Sequence, residues 1–340
     1  MDTSTSTPYS IRPWQNCVDE FELIRRFFTR EYEAADVRVG VGDDGALLRP
    51  TAGKDLLCVV DTIVAGVHFP LQLAAADIGY RAVSVNLSDI AAMGGRPRWM
   101  TLALTLTEAE ETWLRDFAGG LFEAADEHGV KLVGGDTTQG PTTVVTVQIV
   151  GDVAPENVLR RYGAGIGDGI YVSGTLGDAA AGLSLIQQPI PETPAGRYLM
   201  QRFSRPTARV ALGQAIAPLA SAAIDLSDGL TADARKLLQA SQKGGIIELD
   251  KLPLSAEIRQ QFAPAECVEM ALRGGDDYEL CFTTCVNNHA RIMQVAAEQH
   301  IAVTRIGEVT AGDGLVCHNA GKRVDDRHNG YRHFAAGPDQ

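Results

Sequence analysis

At 340 residues the chain is long enough for two domains, on a prior of about 150 residues each. Its 45% apolar and 21% charged residues allow a sizeable buried core and exclude wholesale disorder. A formal charge of −13 disfavours nucleic acid or anionic membrane as partners, and any phosphate site must recruit metal or local basic side chains.

Residues 1–18 read as a flexible tail lacking the basic start and apolar core of a signal peptide. A helix then opens at Asp19-Glu20 and runs to about Tyr32, with Phe21, Ile24, Phe27 and Phe28 on one face. Strands follow at 37–41, 45–49 and 56–61, and a helix at 75–92 turns Ile78, Ala82, Val85 and Ala92 inward. Strand 99–106, helix 108–128 and strands 130–134 and 143–152 complete a first α/β domain over 19–153. A polar, Gly-rich passage from Ala154 to Asp168 opens a second, α+β domain over 154–340. Its expected elements are strand 169–173, an Ala-rich helix from Asp178, helices 195–203 and 207–219, strand 222–226 and helix 229–241. Strands near 245–250, 278–284, 302–309 and 314–317 and a helix at 286–299 finish it. No apolar run approaches the 18 or so residues of a membrane span. Six cysteines show no disulfide framework, and reduced thiols suit a cytoplasmic protein. The C-x3-C pair Cys281/Cys285 lies in a strand-like run and is read as packed thiols rather than zinc ligands.

Chemistry concentrates in six acidic clusters at element ends, where a rigid scaffold presents side chains to ligands. They are Gly42-Asp43-Asp44-Gly45, Asp61 in Val60-Asp61-Thr62, Asp89 in Leu87-Ser88-Asp89, Gly134-Gly135-Asp136, Asp225 to Gly229, and Gly274-Gly275-Asp276-Asp277. Each alone is a turn, cap or solvated carboxylate. Asp89 in the last turn of its helix opposes the helix dipole, which marks it for another duty. If the clusters converge, their repulsion requires divalent cations, and aspartate-held Mg²⁺ sharing its shell with phosphates is the arrangement of phosphoryl transfer. The formal G-x-G-x-x-G at 40–45 is rejected as a dinucleotide fingerprint, because a short strand ending at Pro50 follows instead of a helix. His68 reads as a core histidine or a substrate contact, and Arg161, beside Arg160, as a solvated cation or a polyphosphate holder. There is no P-loop, G-x-S-x-G elbow or H-E-x-x-H, so no catalytic nucleophile is assigned and direct transfer is expected.

Taken together the clusters resemble the thiamine-monophosphate kinase family, within the aminoimidazole-ribonucleotide-synthetase-like superfamily. The resemblance runs from about Glu20 to Phe334. Its carriers are Gly42-Asp43-Asp44, VDTIVAGVHF at 60–69, VNLSDIAAMG at 85–94, GGDTT at 134–138, GDGIYVSG at 167–174, AIDLSDGL at 223–230, GGDDYEL at 274–280 and GYRHF at 330–334. It implies ATP-dependent phosphorylation of thiamine monophosphate to thiamine diphosphate, assisted by several Mg²⁺ ions, in a two-domain fold that dimerises through its N-terminal sheets. Carried over residue by residue, Asp44, Asp61, Asp89, Asp136, Asp225 and Asp228 hold magnesium, with Asp43 a lesser member. Gly135, Asp136, Arg161 and Ser227 meet ATP, and His68, Asp276 and Tyr331 meet the thiamine substrate. Two positions depart from the pattern. Val60 stands where relatives often carry a hydroxyl, and Asp276 stands where some carry a longer Glu. The rival readings are a sister ATP-dependent synthetase and a non-catalytic nucleotide or metal sensor. Cys17 lacks the neighbouring lysine of a selenophosphate synthetase, and all six carboxylates that a sensor would lose are present.

Overall fold

A computed structural model of the chain describes residues 20–32, 34–188 and 193–324. The first segment is α1 (Glu20–Leu23), which passes into a π-helical turn, Ile24–Phe28. A short β1 (Val37–Val39) pairs with β2 (Leu47–Leu48), and β3 (Asp55–Val64), α2 (Ala75–Ala92), β4 (Arg96–Leu106), α3 (Glu111–Glu127), β5 (Lys131–Gln139) and β6 (Val144–Val153) follow. The second half contains β7 (Gly169–Ser173), α4 (Asp178–Ile186), α5 (Pro194–Ser204), α6 (Val210–Ile216), β8 (Ala222–Asp225), α7 (Leu230–Ala240) and β9 (Gly244–Glu248). It continues through α8 (Ala256–Gln261), α9 (Pro264–Arg273), β10 (Leu280–Thr284), α10 (His289–Glu298), β11 (Val303–Thr310), β12 (Gly314–Asn319) and β13 (Lys322–Val324).

The strands form two mixed sheets besides the β1–β2 ribbon. One is four-stranded in the order β3-β6-β4-β5; the other is seven-stranded in the order β13-β12-β9-β11-β7-β10-β8. In the first sheet Asp61 lies opposite Val147, Val147 opposite Leu102, and Leu102 opposite Gly135, so one row crosses the sheet from edge to edge. Residues Asp61 and Gly135 therefore sit three strands apart, about 14 Å at the usual strand spacing.

Helix α2 is the joint between the two halves. A helix apolar on every side must be enclosed on every side, and all of α2 is buried except Ala75, Ala76, Asp77 and Asp89. Leu87 and Ile90 of α2 share one apolar cluster with Leu102 and Val147 of the first sheet and with Leu212, Ala223 and Phe282 of the second half. Inward positions were thus expected on one face, and the structure buries nearly the whole circumference.

Two expectations fail. The N-terminal helix stops at Phe28 rather than near Tyr32, with Thr29 already extended at φ −97° and ψ 121°. The wider π turn breaks the α-helical spacing, so Phe21 is 81% exposed while Leu23 and Phe28 take the core positions. Helices α8 and α9 were not anticipated, although the Ser255 hydroxyl caps α8 by accepting the Ile258 N–H at 3.0 Å and Pro264 opens α9.

Helices α2 and α3 approach through a reciprocal pair of glycines. A Cβ on Gly120 would stand 1.8 Å from the Ala76 carbonyl oxygen, and one on Gly79 would stand 2.1 Å from that of Phe117. Neighbouring Gly119 has open space around it. Gly120→Ala is therefore expected to destabilise the protein by about 1–3 kcal/mol through backbone overlap. Gly119→Ala should stabilise it by about 0.5–1 kcal/mol through helix propensity. Urea unfolding of the two single variants checks these opposite signs; equal effects would contradict the packing.

Candidate functional site

A cavity of about 680 Å³ opens between the two halves of the chain. Asp61 reaches it from β3, Asp89 from the last turn of α2, Asp225 from the end of β8, and Ser227 and Asp228 from the turn into α7. Arg161, His68 and Asp276 line the same walls. Tyr331 lies outside the described residues. Four of the six expected metal-binding carboxylates thus converge.

Asp44 and Asp136 do not join them within one chain. With Asp43 and Gly135 they line a second cavity, about 410 Å³, between β5 and the Gly42–Gly45 loop. The reason is the strand order: β5 and β3 form opposite edges of the sheet. The start of β1 is anchored at Asp36, which accepts from Lys131 at 2.6 Å and Arg98 at 2.7 Å, and Arg98 also binds Asp152 at 2.7 Å. Gly135 also packs closely on β4, since its Cβ would stand 1.9 Å from the Leu102 carbonyl oxygen.

Charge in the main cavity is crowded. Burial, then the charges of Asp225 and Asp61, push the Asp89 carboxyl up to about 8, against a partial pull from Arg161. Asp225 is buried and also raised, chiefly by desolvation and further by Asp61, although the Ser88 hydroxyl donates to its Oδ2 at 2.8 Å. Asp61 is raised by desolvation and then by Asp228. The helix-end carboxylate that opposed its own dipole thus faces two others.

Asp228 is not a helix cap; Gly229 holds that position at φ 103° without a side-chain cap. Its Oδ2 instead accepts the Lys236 ammonium at 2.5 Å, and its backbone N–H donates to Asp233 at 2.9 Å. Lys236 also donates to buried Asp233 at 2.7 Å. His68 accepts the Val64 N–H at Nδ1, 3.1 Å away, which places the proton of its neutral ring on Nε2.

The Gly274–Tyr278 segment forms the opposite wall. Asp276 and Tyr278 hold left-handed backbones at φ 71° and 50°, a cost of order 1–3 kcal/mol each. Neighbouring contacts enforce them. The Asp276 N–H donates to Ser227 O at 3.0 Å and the Tyr278 N–H to Leu226 O at 2.9 Å. Buried Asp277 accepts the Gly177 N–H at 2.7 Å, and buried Glu279 accepts Arg202, Arg209 and Ser173 at 2.5–2.8 Å. Burial raises the Glu279 carboxyl, yet the two guanidinium groups outweigh it and the net shift is downward.

Sequence reading missed Arg81, Lys236 and Tyr278, which also line the cavity. The signal for Arg81 was present: Arg81, Val85 and Asp89 recur at intervals of four and form one stripe of α2. Cys281 is buried on β10 and Cys285 exposed beyond it. Among the described residues, no three His, Cys, Asp or Glu side chains are grouped so that they alone could hold a metal ion.

The arrangement has relatives. Residues 42–153 match the family model "AIR synthase related protein, N-terminal domain", and residues 165–318 match the C-terminal domain model of the same description. Thiamine-monophosphate kinase of Escherichia coli K12 is 43% identical over 320 residues, spanning 93% of this chain and 98% of its own. The crystal structure of thiamine-monophosphate kinase from Stenotrophomonas maltophilia K279a superposes with a TM-score of 0.81 at 43% identity, covering 86% of this chain and 93% of that one. A structure of AaThiL complexed with AMPPCP and TMP gives 0.73 at 35% identity, covering 86% and 91%.

An unfolded aspartate titrates near 3.9, whereas burial and its acidic neighbours push the folded Asp89 carboxyl up to about 8. A raised carboxyl stabilises the fold below the unfolded value and loses that contribution as pH climbs through the folded one. Removing metal and comparing wild type with Asp89→Asn by urea unfolding at about pH 6 and about pH 8 should show wild type losing stability relative to the variant. A constant difference would place Asp89 away from its acidic neighbours.

Proposed function

Because this chain belongs to the thiamine-monophosphate kinase family of AIR-synthase-related proteins, we propose that it transfers the γ-phosphoryl group of ATP to thiamine monophosphate. The observation that carries the reading is the single cavity shared by Asp61, Asp89, Asp225 and Asp228, with Arg161, Ser227, His68 and Asp276 on its walls. In the reaction an ionised oxygen of the acceptor phosphate forms a bond to the γ-phosphorus, the bond to the β-bridging oxygen breaks, and ADP leaves. That acceptor oxygen is already anionic near neutral pH, its second pKa being about 6, so no strong general base is required.

The donor set fits Mg²⁺. Oxygen ligands are its preference, and the mutual elevation of Asp61, Asp89 and Asp225 marks negative charge that lacks compensation. Since these side chains alone do not make a complete site, phosphate and water would have to supply the rest of a Mg²⁺ shell. When bound, the ions neutralise the phosphates and align attacking and leaving oxygens. Arg161 faces the same carboxylates and supplies fixed positive charge to the polyphosphate, while the Ser227 turn presents its hydroxyl and the helix start behind it. His68 and Asp276 hold the acceptor ring, and enclosure between the two halves limits water. Val60 offers a metal only its carbonyl, its side chain being apolar and 58% exposed.

Asp44 and Asp136 enter this scheme through a homodimer. Among the described residues β3 and β5 form the two edges of the sheet, and β3 exposes Leu56 at 53% and Val60 at 58%. Open, partly apolar edges favour pairing with a second copy. A two-fold interface over the N-terminal sheets then brings the β5 edge of one protomer, with Asp44 and Asp136, toward the β3 edge of its partner. The reading places the enzyme in the cytoplasm, where its substrates are held.

Purified protein given ATP, Mg²⁺ and thiamine monophosphate is expected to form thiamine diphosphate. Mg-dependent ATP binding without turnover would mark a sensor instead. Asp225→Asn and Asp136→Asn should each lower kcat about a hundred- to a thousand-fold. Dimers re-formed from an equal mixture of the two variants should regain about one quarter of the wild-type rate, from one intact site in half of the dimers. Failure to regain activity would mean that the two edges do not serve a common site.

A further inference from the structure

Arg81 is 1% exposed, yet it belongs to the cavity wall. It rises from α2 in the first half and ends in the second, donating to the Phe203 carbonyl at 2.5 Å and to Oδ1 of Asp276. Its guanidinium lies over the Phe203 ring at 4.3 Å and near the Tyr278 ring at 5.6 Å. The Tyr278 hydroxyl donates to the same Oδ1 at 3.2 Å. Asp276 is thus gripped through one oxygen by two donors, on a left-handed backbone that its neighbours enforce. Its side chain keeps 27% of its surface open, and Oδ2 takes no hydrogen bond among the described residues.

We propose that Arg81 is a positioning residue that sets acceptor recognition by clamping Oδ1 of Asp276, so that Oδ2 faces the cavity ready to accept an N–H of the incoming heterocycle. The inference rests on the kinase reading and on Asp276 as an acceptor contact. A guanidinium fixed by an aromatic face and a carbonyl has little freedom, so it fixes the carboxylate plane in turn. It also cancels most of the charge on Asp276. The carboxylate therefore selects its ligand by a directed hydrogen bond more than by attraction for a cation. Since Arg81 and Asp276 come from different halves of the chain, acceptor affinity is tied to the seating of one half on the other. Arg81 touches neither reactant phosphate in this scheme.

The test is a double-mutant cycle with steady-state kinetics on the full chain. Arg81→Lys keeps the charge but loses the planar fork, and is expected to raise KM for thiamine monophosphate about ten-fold while KM for ATP stays within about two-fold. Asp276→Asn should raise the acceptor KM comparably, and adding Arg81→Lys to it should change little further. If Arg81→Lys does not fold, Tyr278→Phe, which removes the other donor to Oδ1, is read in the same cycle. Additive effects, or equal rises in both KM values, would reduce Arg81 to a packing residue and overturn the proposal. An active wild type with an unchanged acceptor KM in Arg81→Lys would overturn the clamp alone. Absence of any turnover of thiamine monophosphate by wild type would overturn the reading beneath it.

Discussion

The constraint on which this structure turns is the crowding of like charge where its two halves meet. Two carboxylates about 4 Å apart repel by roughly 1 kcal/mol in water and roughly 4 kcal/mol at an effective dielectric of 20. A chain that folds Asp61, Asp89 and Asp225 toward one cavity accepts that repulsion, and with burial it pushes the Asp89 carboxyl up to about 8 and raises that of Asp225. The strain is held by apolar packing elsewhere. Helix α2 is enclosed by the four-stranded sheet on one side and by the second half on the other, so the backbone that carries Asp89 is fixed at the cavity wall. Fold and chemistry are coupled at this point: the acidic cluster exists only when both halves are seated.

The parts of the fold legible in the sequence were those with uninterrupted local signals. Helix 75–92 and strand 169–173 were placed at their observed ends because apolar periodicity and flanking glycines agree there. The N-terminal helix was overextended because a π turn leaves no mark in composition, and its wider spacing moved Phe21 from core to solvent. Helices α8 and α9 are short, and the polar residues around them read as loop despite the Ser255 cap and Pro264. Short helices draw their stability from tertiary packing, which a local pattern does not display.

The site was legible by residue type more than by position. Acidic clusters at element ends marked the cavity, and Asp89 betrayed itself by opposing its own helix. What a linear reading lacked was strand order. Asp61 and Asp136 both follow apolar runs and look like strand ends in the sequence, yet they lie inside β3 and β5, which continue to Val64 and Gln139 and bound opposite edges of one sheet. Arg81 escaped for a related reason, since a charged residue inside an apolar helix acquires meaning only when Asp276, nearly two hundred positions away, is seen against it.

Lys236 gives the acidic cavity one further property. Its ammonium, tethered to α7 and braced by Asp233, already occupies one oxygen of Asp228. Any cation proposed for that carboxylate would have to compete with this resident ammonium. A counter-ion built into the chain in this way keeps part of the rim's negative charge neutralised by the protein itself.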